Sequence, residues 1–600
     1  MSSFAETIPD IPKGKGFAAW KDYAWFLRYA LQSSKKRSAL LVFVFLLTPI
    51  TVAGQLFATK GLIDALTNHD TSRAEMLFVG LIGLFFLNGI TEDIRGYLKE
   101  ILRYALEHRI KEDVMQSLNR LDPALVEHPK FQALYHAYEE GRGDLVGAAN
   151  GGYWILYWML QLIGVSSVFF LLPWWVAVVI LLLSIPILIA QKSEQDWSWA
   201  ILSMESREGR RANYYKSVLL SPQWLSSRWI LGLHDIFFSR WKKIMEGGIK
   251  MREKQSILRV RNQSFVLLML FVGYALGCGS LVKEALVTGS VGSLVAFFSA
   301  YGQFGGMLAN IFGEMSWVRT RLPVTQMMRK MINLPVRKDG RKHLPKQSLT
   351  IEFDRVWFRY PDQETDVLKG ISLTLQEGES VALVGLNGAG KSTFFKILAG
   401  IYQPTGGRVL INGVPLQEIR SHEWQKALGF MTQSVPSFDD TVREQIRYGD
   451  ADHPWAKRGT LALNVSGFGE IASGLPRGLD THVGRNYSMP EDQPVDLSGG
   501  QRQLLMIAQT LYRRARVFIF DEPTSAVDAE KEERFFEKLP EAVEGRLCMM
   551  VSHRFSVLRR ARRILVMDAG CIIEDGSHEE LMAKEGRYAE LFVLQSKMYQ

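Results

Sequence analysis

A chain of 600 residues has room for several domains, and its 47% hydrophobic content is an ordinary globular average, so its class depends on how the apolar residues are distributed. The formal net charge of +9 fits nucleic acid, anionic lipid or cationic loops beside a membrane, and the placement of the charges selects the last of these. Three cysteines, Cys278, Cys548 and Cys571, are too few and too scattered for a disulfide framework or a metal cluster, and the lack of any before Cys278 argues against an N-terminal cysteine-peptidase module.

In chain order, Lys13, Lys15, Lys21, Arg28, Lys35, Lys36 and Arg37 come first, ahead of an apolar run that lies too deep and is too long for a cleavable signal peptide. This puts the N-terminus in the cytoplasm. FAAWKDYAWFLRYAL, 17–31, interleaves aromatics with Lys and Arg at helical spacing, which predicts a helix in the membrane interface within a cytoplasmic segment 1–37. Apolar runs follow at 38–59, 75–95, 151–171, 174–191, 263–282 and 289–313, each about long enough to cross ~30 Å of hydrocarbon. Six spans are therefore expected in a membrane domain, 38–333. The connections at 60–74, 172–175 and 282–289 are short and face outside. Those at 96–150 and 192–262 are long, charged and helical in pattern, as if the spans continue into the cytoplasm. Each long connection contains a proline break, RLDPALVEHPKF at 120–131 and SVLLSPQWLSSRW at 217–229, where a short crosswise helix fits.

LPVRKDGRKHLPKQ reads as a polar linker, 334–348, into an α/β domain, 349–600. There SVALVG, GLNGAGKST and STFFKILAGIY follow as strand, glycine loop and helix, the context a phosphate loop requires. Its glycines let backbone N–H groups face phosphates, Lys391 reaches the β- and γ-phosphates, and Ser392 ligates Mg²⁺. The candidate phosphate-binding residues are Gly385, Asn387, Gly388, Gly390, Lys391, Ser392 and Thr393. RVFIFDEP, 516–523, is a buried-strand pattern ending in two carboxylates that should point in different directions. Asp521 is assigned to the Mg²⁺ shell and Glu522 to polarising the attacking water.

These motifs, with Gln433 in FMTQ, LSGGQ at 497–501, SAVD at 525–528 and VSHR, resemble a half-size ABC transporter of the exporter type, a likeness that covers nearly the whole chain. The resemblance implies an α-helical transmembrane domain followed by an α/β P-loop ATPase domain, with ATP and Mg²⁺ as cofactors. Tyr360 would stack on adenine, Gln433 would sense Mg²⁺ and the membrane loops, and His553 would contact the γ-phosphate. Asp528 would work across a dimer interface. LSGGQ would complete the ATP site of a second subunit, with Ser498, Gly499, Gly500 and Gln501 facing its γ-phosphate. The local chemistry permits this, because Ser498 and the glycines open a helix whose positive end favours an anion, although an ordinary helix cap has the same residues. One departure is the long insert RNYSMPEDQPVD, where Arg485 stands at a position the family often gives to Glu.

The function implied is ATP-driven export by alternating access in a homodimer, in a bacterial inner membrane with the nucleotide domain cytoplasmic. The expected partners are the second subunit, the bilayer and a transported amphipathic small molecule, peptide or lipid, not nucleic acid. A fused importer and an ATP-gated channel or regulatory ATPase are the alternatives. Tyr153, Trp154, Trp158, Trp174 and Trp175 fit either substrate contact or an interfacial aromatic belt. Gln161, Gln303 and Asn310 fit either a cavity lining or helix-to-helix hydrogen bonding.

Overall fold

The computed structural model describes residues 16–180, 182–183, 207–288, 291–337, 339–360, 363–433, 438–484, 494–551 and 560–596. They fall into two compact units. One comprises Pro9–Asn119 and Gln132–Leu334, the other Arg120–Phe131 and Pro335–Gln600.

The helices of the first half are α1 (Gly16–Gln32), α2 (Lys35–Thr67), α3 (Thr71–Asn119), α4 (Pro123–Val126), α5 (Pro129–Gly141), α6 (Gly143–Ser166), α7 (Arg207–Leu220), α8 (Leu225–Ile230), α9 (His234–Thr288) and α10 (Gly292–Ile332). Among the described residues, five helices are long and apolar enough to cross a membrane: Lys35–Thr67, Thr71–Asn119, Gly143–Leu171, His234–Val287 and Gly292–Ile332. The further span expected at 174–191 is helical over 174–180 and then runs mostly outside the described residues. With 49 residues, α3 rises about 74 Å, more than twice the thickness of a hydrocarbon core, so the apolar run continues as helix well beyond it.

The helices pack closely where glycine removes a side chain. A Cβ on Gly147 of α6 would lie 2.2 Å from the Trp317 ring of α10, and one on Gly277 of α9 would lie 2.1 Å from Phe297. The aromatic rings fill the space that glycine leaves open, so volume on one helix is matched by its absence on the next.

The N-terminal helix does more than the interfacial position expected of it. Ala19, Tyr23, Phe26 and Ala30 of α1 are buried, and polar contacts fasten the helix at three places. Tyr23 donates to Ala148 O at 2.9 Å, Tyr29 donates to Asp113 at 2.6 Å, and Asp22 pairs with Arg329 and accepts from Gln326. Only the face bearing Phe17 and Trp20 is left exposed.

Both proline breaks form short helices. Asp122 caps α4 by accepting from Ala124 N at 3.0 Å, and Pro222–Trp224 makes one 3₁₀ turn before α8. Proline suits these starts because its missing N–H would have no partner in a first turn.

The second unit is built on a six-stranded sheet of order β12-β11-β3-β10-β9-β6. Its strands are β3 (Ser380–Val384), β6 (Leu428–Met431), β9 (Val517–Asp521), β10 (Leu547–Val551), β11 (Arg563–Asp568) and β12 (Cys571–Gly576), parallel except for the β11–β12 pair. A second, antiparallel sheet of order β2-β1-β4-β5 comprises β1 (Thr350–Phe358), β2 (Leu368–Gln376), β4 (Gly406–Ile411) and β5 (Val414–Pro415), and β7 (Asp440–Thr441) pairs with β8 (His482–Val483). Between the sheets lies α11 (Lys391–Leu398), whose Phe394, Phe395, Ile397 and Leu398 are buried with residues of both. The other face of the six-stranded sheet is covered by α12 (Gly499–Tyr512) and α13 (Ala529–Val543). Strands buried on both faces read as unbroken apolar runs, and VFIFD and LCMMV do.

The segment expected to be a polar linker is instead part of this unit. Val336 bridges to Leu121, Lys342 bridges to Ile419, and Arg516 donates to Pro345 O at 2.8 Å and Gln347 O at 2.6 Å. The boundary therefore falls at Pro335. Side chains add to these contacts, Lys342 pairing with Glu418 and His343 with Glu423, both at 2.7 Å.

Candidate nucleotide site

The glycine loop joins the end of β3 to the start of α11. Gly385 must be glycine, because a Cβ there would sit 2.2 Å from Met567 O on the neighbouring strand. Gly388 and Gly390 have φ of +84° and +104°, the left-handed region that L side chains avoid. Leu386, Asn387 and Gly388 are exposed, as is Ser392 in the first turn of α11. Lys391 is buried and folds back over the loop, donating to Gly385 O at 2.7 Å and Leu386 O at 3.0 Å. Burial holds its ammonium below the ordinary lysine pKa, while the Glu522 and Asp521 carboxylates act in the opposite direction.

Those carboxylates arrive on β9. Asp521 ends the strand at 5% exposure, and the chain then turns, with Glu522 at a φ of +52° and its N–H donating to Val551 O at 3.2 Å. Adjacent acids are thereby sent to different places. Gln433, just beyond β6, donates to Glu522 Oε2 at 3.2 Å. Lys391, Asp521, Glu522 and Gln433 thus gather at the same end of the sheet. Tyr360 follows β1, shares a 2.9 Å hydrogen bond with Thr393 Oγ1, and lies edge-on to Phe358 and Tyr402. His553 and Arg485 lie outside the described residues.

The LSGGQ stretch opens α12. Ser498 is its N-cap in a reciprocal capping box, in which Gln501 N donates to Ser498 Oγ at 3.3 Å and Ser498 N donates to Gln501 Oε1 at 2.9 Å. Gly499 stands in its first turn, and a Cβ on Gly500 would approach Ala526 O to 2.5 Å. Gln503, buried at 5% exposure, donates to Ser525 Oγ and accepts from Ala526 N, both at 2.8 Å. Gln503 stands outside the LSGGQ motif. The available signal was an amide on the apolar face of an amphipathic helix, beside Leu504. Asp528 caps α13, accepting from Lys531 N and Lys531 Nζ at 3.0 Å, and these bonds hold its carboxyl below the usual range.

In the membrane unit, Trp154 and Trp158 stack at 5.7 Å, with Lys99 4.2 Å from the Trp154 ring, and Gln161 donates to Tyr157 at 2.7 Å. These residues are engaged inside the bundle, and Tyr153 is buried. Trp174 and Trp175 are exposed, as are Gln303 and Asn310, which share a face of α10 at a spacing of two turns.

Fold and site together define an integral membrane protein with a nucleotide-binding domain. Residues 368–525 match the family model described as ABC transporter. The ATP-dependent lipid A-core flippase of Alkalilimnicola ehrlichii is 36% identical over 311 residues, 52% of each chain, and that of Pseudomonas aeruginosa 35% over 309 residues, 51% of this chain and 50% of that one. The flippase of Chromohalobacter salexigens is 29% identical over 551 residues, covering 89% of this chain and 91% of its own. The match thus spans about half the length of the first two relatives and nearly all of the third. A solved bacterial Atm1-family ABC exporter with ATP bound shares the fold, with a TM-score of 0.77 at 23% identity over 93% of this chain and 99% of that one. The ABC transporter match covers residues 368–525, and the chain resembles a half-transporter in layout, membrane-crossing helices first and one domain of the nucleotide-binding type after them.

Proposed function

We propose that the chain is an ATP hydrolase coupled to transmembrane export, working as a homodimer in a bacterial inner membrane with its nucleotide units in the cytoplasm. The observation that carries this reading is the gathering of Lys391, Asp521, Glu522 and Gln433 at one end of the sheet, in a chain whose fold matches an exporter. Glu522 positions and polarises the attacking water, Lys391 neutralises phosphate charge, and His553 is assigned to the γ-phosphate by its motif. Ser392, Gln433 and Asp521 offer hydroxyl, amide and carboxylate oxygens, a donor set that fits Mg²⁺. The ion would supply charge neutralisation at the phosphates.

Two features support a second copy. Trp224, Leu225, Trp229, Ile230 and Leu231 in and around α8 are exposed, Trp229 at 83%. The nucleotide unit also keeps a groove of about 420 Å³ lined by Trp424, Leu428, Phe430, Tyr448 and Met506, into which the partner's copy of that helix would fit. Ser498 serves the partner's γ-phosphate without giving up its cap, because the hydroxyl accepts from Gln501 N and keeps its own proton to donate. Asp528 lies across the same interface. ATP held by both subunits has different affinity for the open and closed dimers, so binding closes them and hydrolysis resets them.

The names of the relatives favour a lipid-like amphiphile among the expected substrates. The test uses the full chain in proteoliposomes with a fluorescent anionic lipid and ATP on the nucleotide side. The expected result is ATP-dependent movement of the lipid away from that side, abolished by Glu522→Gln. Movement in the opposite direction would establish the importer, and ATP-gated current without net pumping would establish the channel.

A further inference from the structure

Loop 120–131 reaches the nucleotide unit at an unexpected place. Ala124 packs into the same apolar cluster as Tyr360 and Tyr402, and Arg337 N donates to Arg120 O at 2.9 Å. Glu127, at the end of α4, takes both Lys396 Nζ, 3.0 Å from each of its oxygens, and the Tyr402 hydroxyl. Lys396 belongs to α11, the helix that begins at Lys391. Tyr402, 4% exposed, lies edge-on to Tyr360 with ring centroids 5.5 Å apart at 86°, and Phe358 closes the trio. Burial works against ionisation of Glu127, but the hydrogen bonds from Tyr402 and Lys396 and the charge of Lys396 outweigh it and hold the carboxyl below its usual range.

We infer that Tyr402 is a positioning residue that carries the state of the Tyr360 ring to Glu127, so that loop 120–131 senses the nucleotide base as well as its phosphates. The inference rests on Tyr360 as the base-stacking residue. Edge-to-face rings turn together in a packed core, because neither can rotate without opening a void against the other. Tyr402 cannot follow Tyr360 without disturbing its charge-assisted bond to Glu127, and that carboxylate is attached to the loop's backbone. Lys396 gives the phosphate-loop helix a second hold on the same carboxylate, so base and phosphate sensing meet at one residue.

The test is amide hydrogen exchange of the full chain in nanodiscs, with Glu522→Gln in all samples so that ATP stays bound, comparing peptides over 120–131 and 385–393 with and without ATP. ATP should slow exchange in both peptides of the parent. Tyr402→Phe and Glu127→Gln should each reduce the slowing in 120–131 by about tenfold or more, as expected for loss of one hydrogen bond to a charged group, and leave 385–393 protected at unchanged ATP affinity. Faster exchange of 120–131 without nucleotide, with the ATP-dependent ratio intact, would reduce the contact to a structural one and overturn the proposal. Tyr360→Leu separates the two readings. If it leaves ATP affinity unchanged, base stacking fails and the relay with it. If it weakens ATP binding while Tyr402→Phe still transmits protection, only the relay fails.

Discussion

Glu522 sits where chemistry and backbone geometry meet, its φ of +52° aiming the side chain away from Asp521 and toward Gln433. Glu522→Gln keeps the side chain's shape and the same backbone turn but removes the proposed base. ATP should bind almost as before while turnover falls by about a hundredfold or more. Lys391→Ala should instead weaken nucleotide binding itself, because the missing group is the cation proposed to meet the phosphates. Equilibrium binding of a fluorescent ATP analogue alongside steady-state hydrolysis checks both, and a Gln variant with normal turnover would remove Glu522 from this role.

Among the elements, α12 depends on a side chain with no conspicuous motif position. Gln503 fastens the helix to Ser525 and Ala526, so Gln503→Ala removes two hydrogen bonds made by a buried amide. The expected loss is about 1–3 kcal/mol of stability, read as a lower urea midpoint for the nucleotide unit in the purified transporter. An unchanged midpoint would show that water replaces the amide without cost. Gln503 also marks the limit of what could be read in advance. The tight turn of the glycine loop is legible because its glycines and lysine stand at fixed spacing within one turn. Gln503 works on residues more than twenty positions away, and nothing in QRQ announces that partner. The 334–348 segment is hard to place for a related reason, since Lys342 and His343 pair with Glu418 and Glu423, partners far along the chain. In α1, aromatics interleaved with cations suit a lipid surface or a protein groove equally, and only the partners Asp113, Ala148 and Arg329 distinguish them. The apolar spans were legible as membrane helices, because length and hydropathy alone carry that signal.

For the molecule as a whole, the proposed sharing of sites between two chains makes a sharp prediction. Lys391→Ala damages one side of a shared site, and Ser498→Arg obstructs the other. Each homodimer then has two damaged sites. A mixed dimer of the two variants gathers both lesions in one site and leaves the other intact. With Glu522→Gln in both chains, isolated mixed dimers should occlude about one nucleotide per dimer while neither parent homodimer does. If the mixture shows no recovery, LSGGQ serves its own chain.

The way the nucleotide unit is assembled also bears on how it can be handled. Arg120–Phe131 belongs with Pro335–Gln600, so the folded body is discontinuous along the polypeptide. A fragment cut at 349 would lack the strip that bridges to Ile419 and the short helix whose carboxylate holds Lys396 and Tyr402. It would enter solution with Arg516 short of two acceptors and an apolar hollow where Ala124 belongs. Biochemistry on such an excised piece would describe a different object, and its catalytic rate would not be a baseline for the whole.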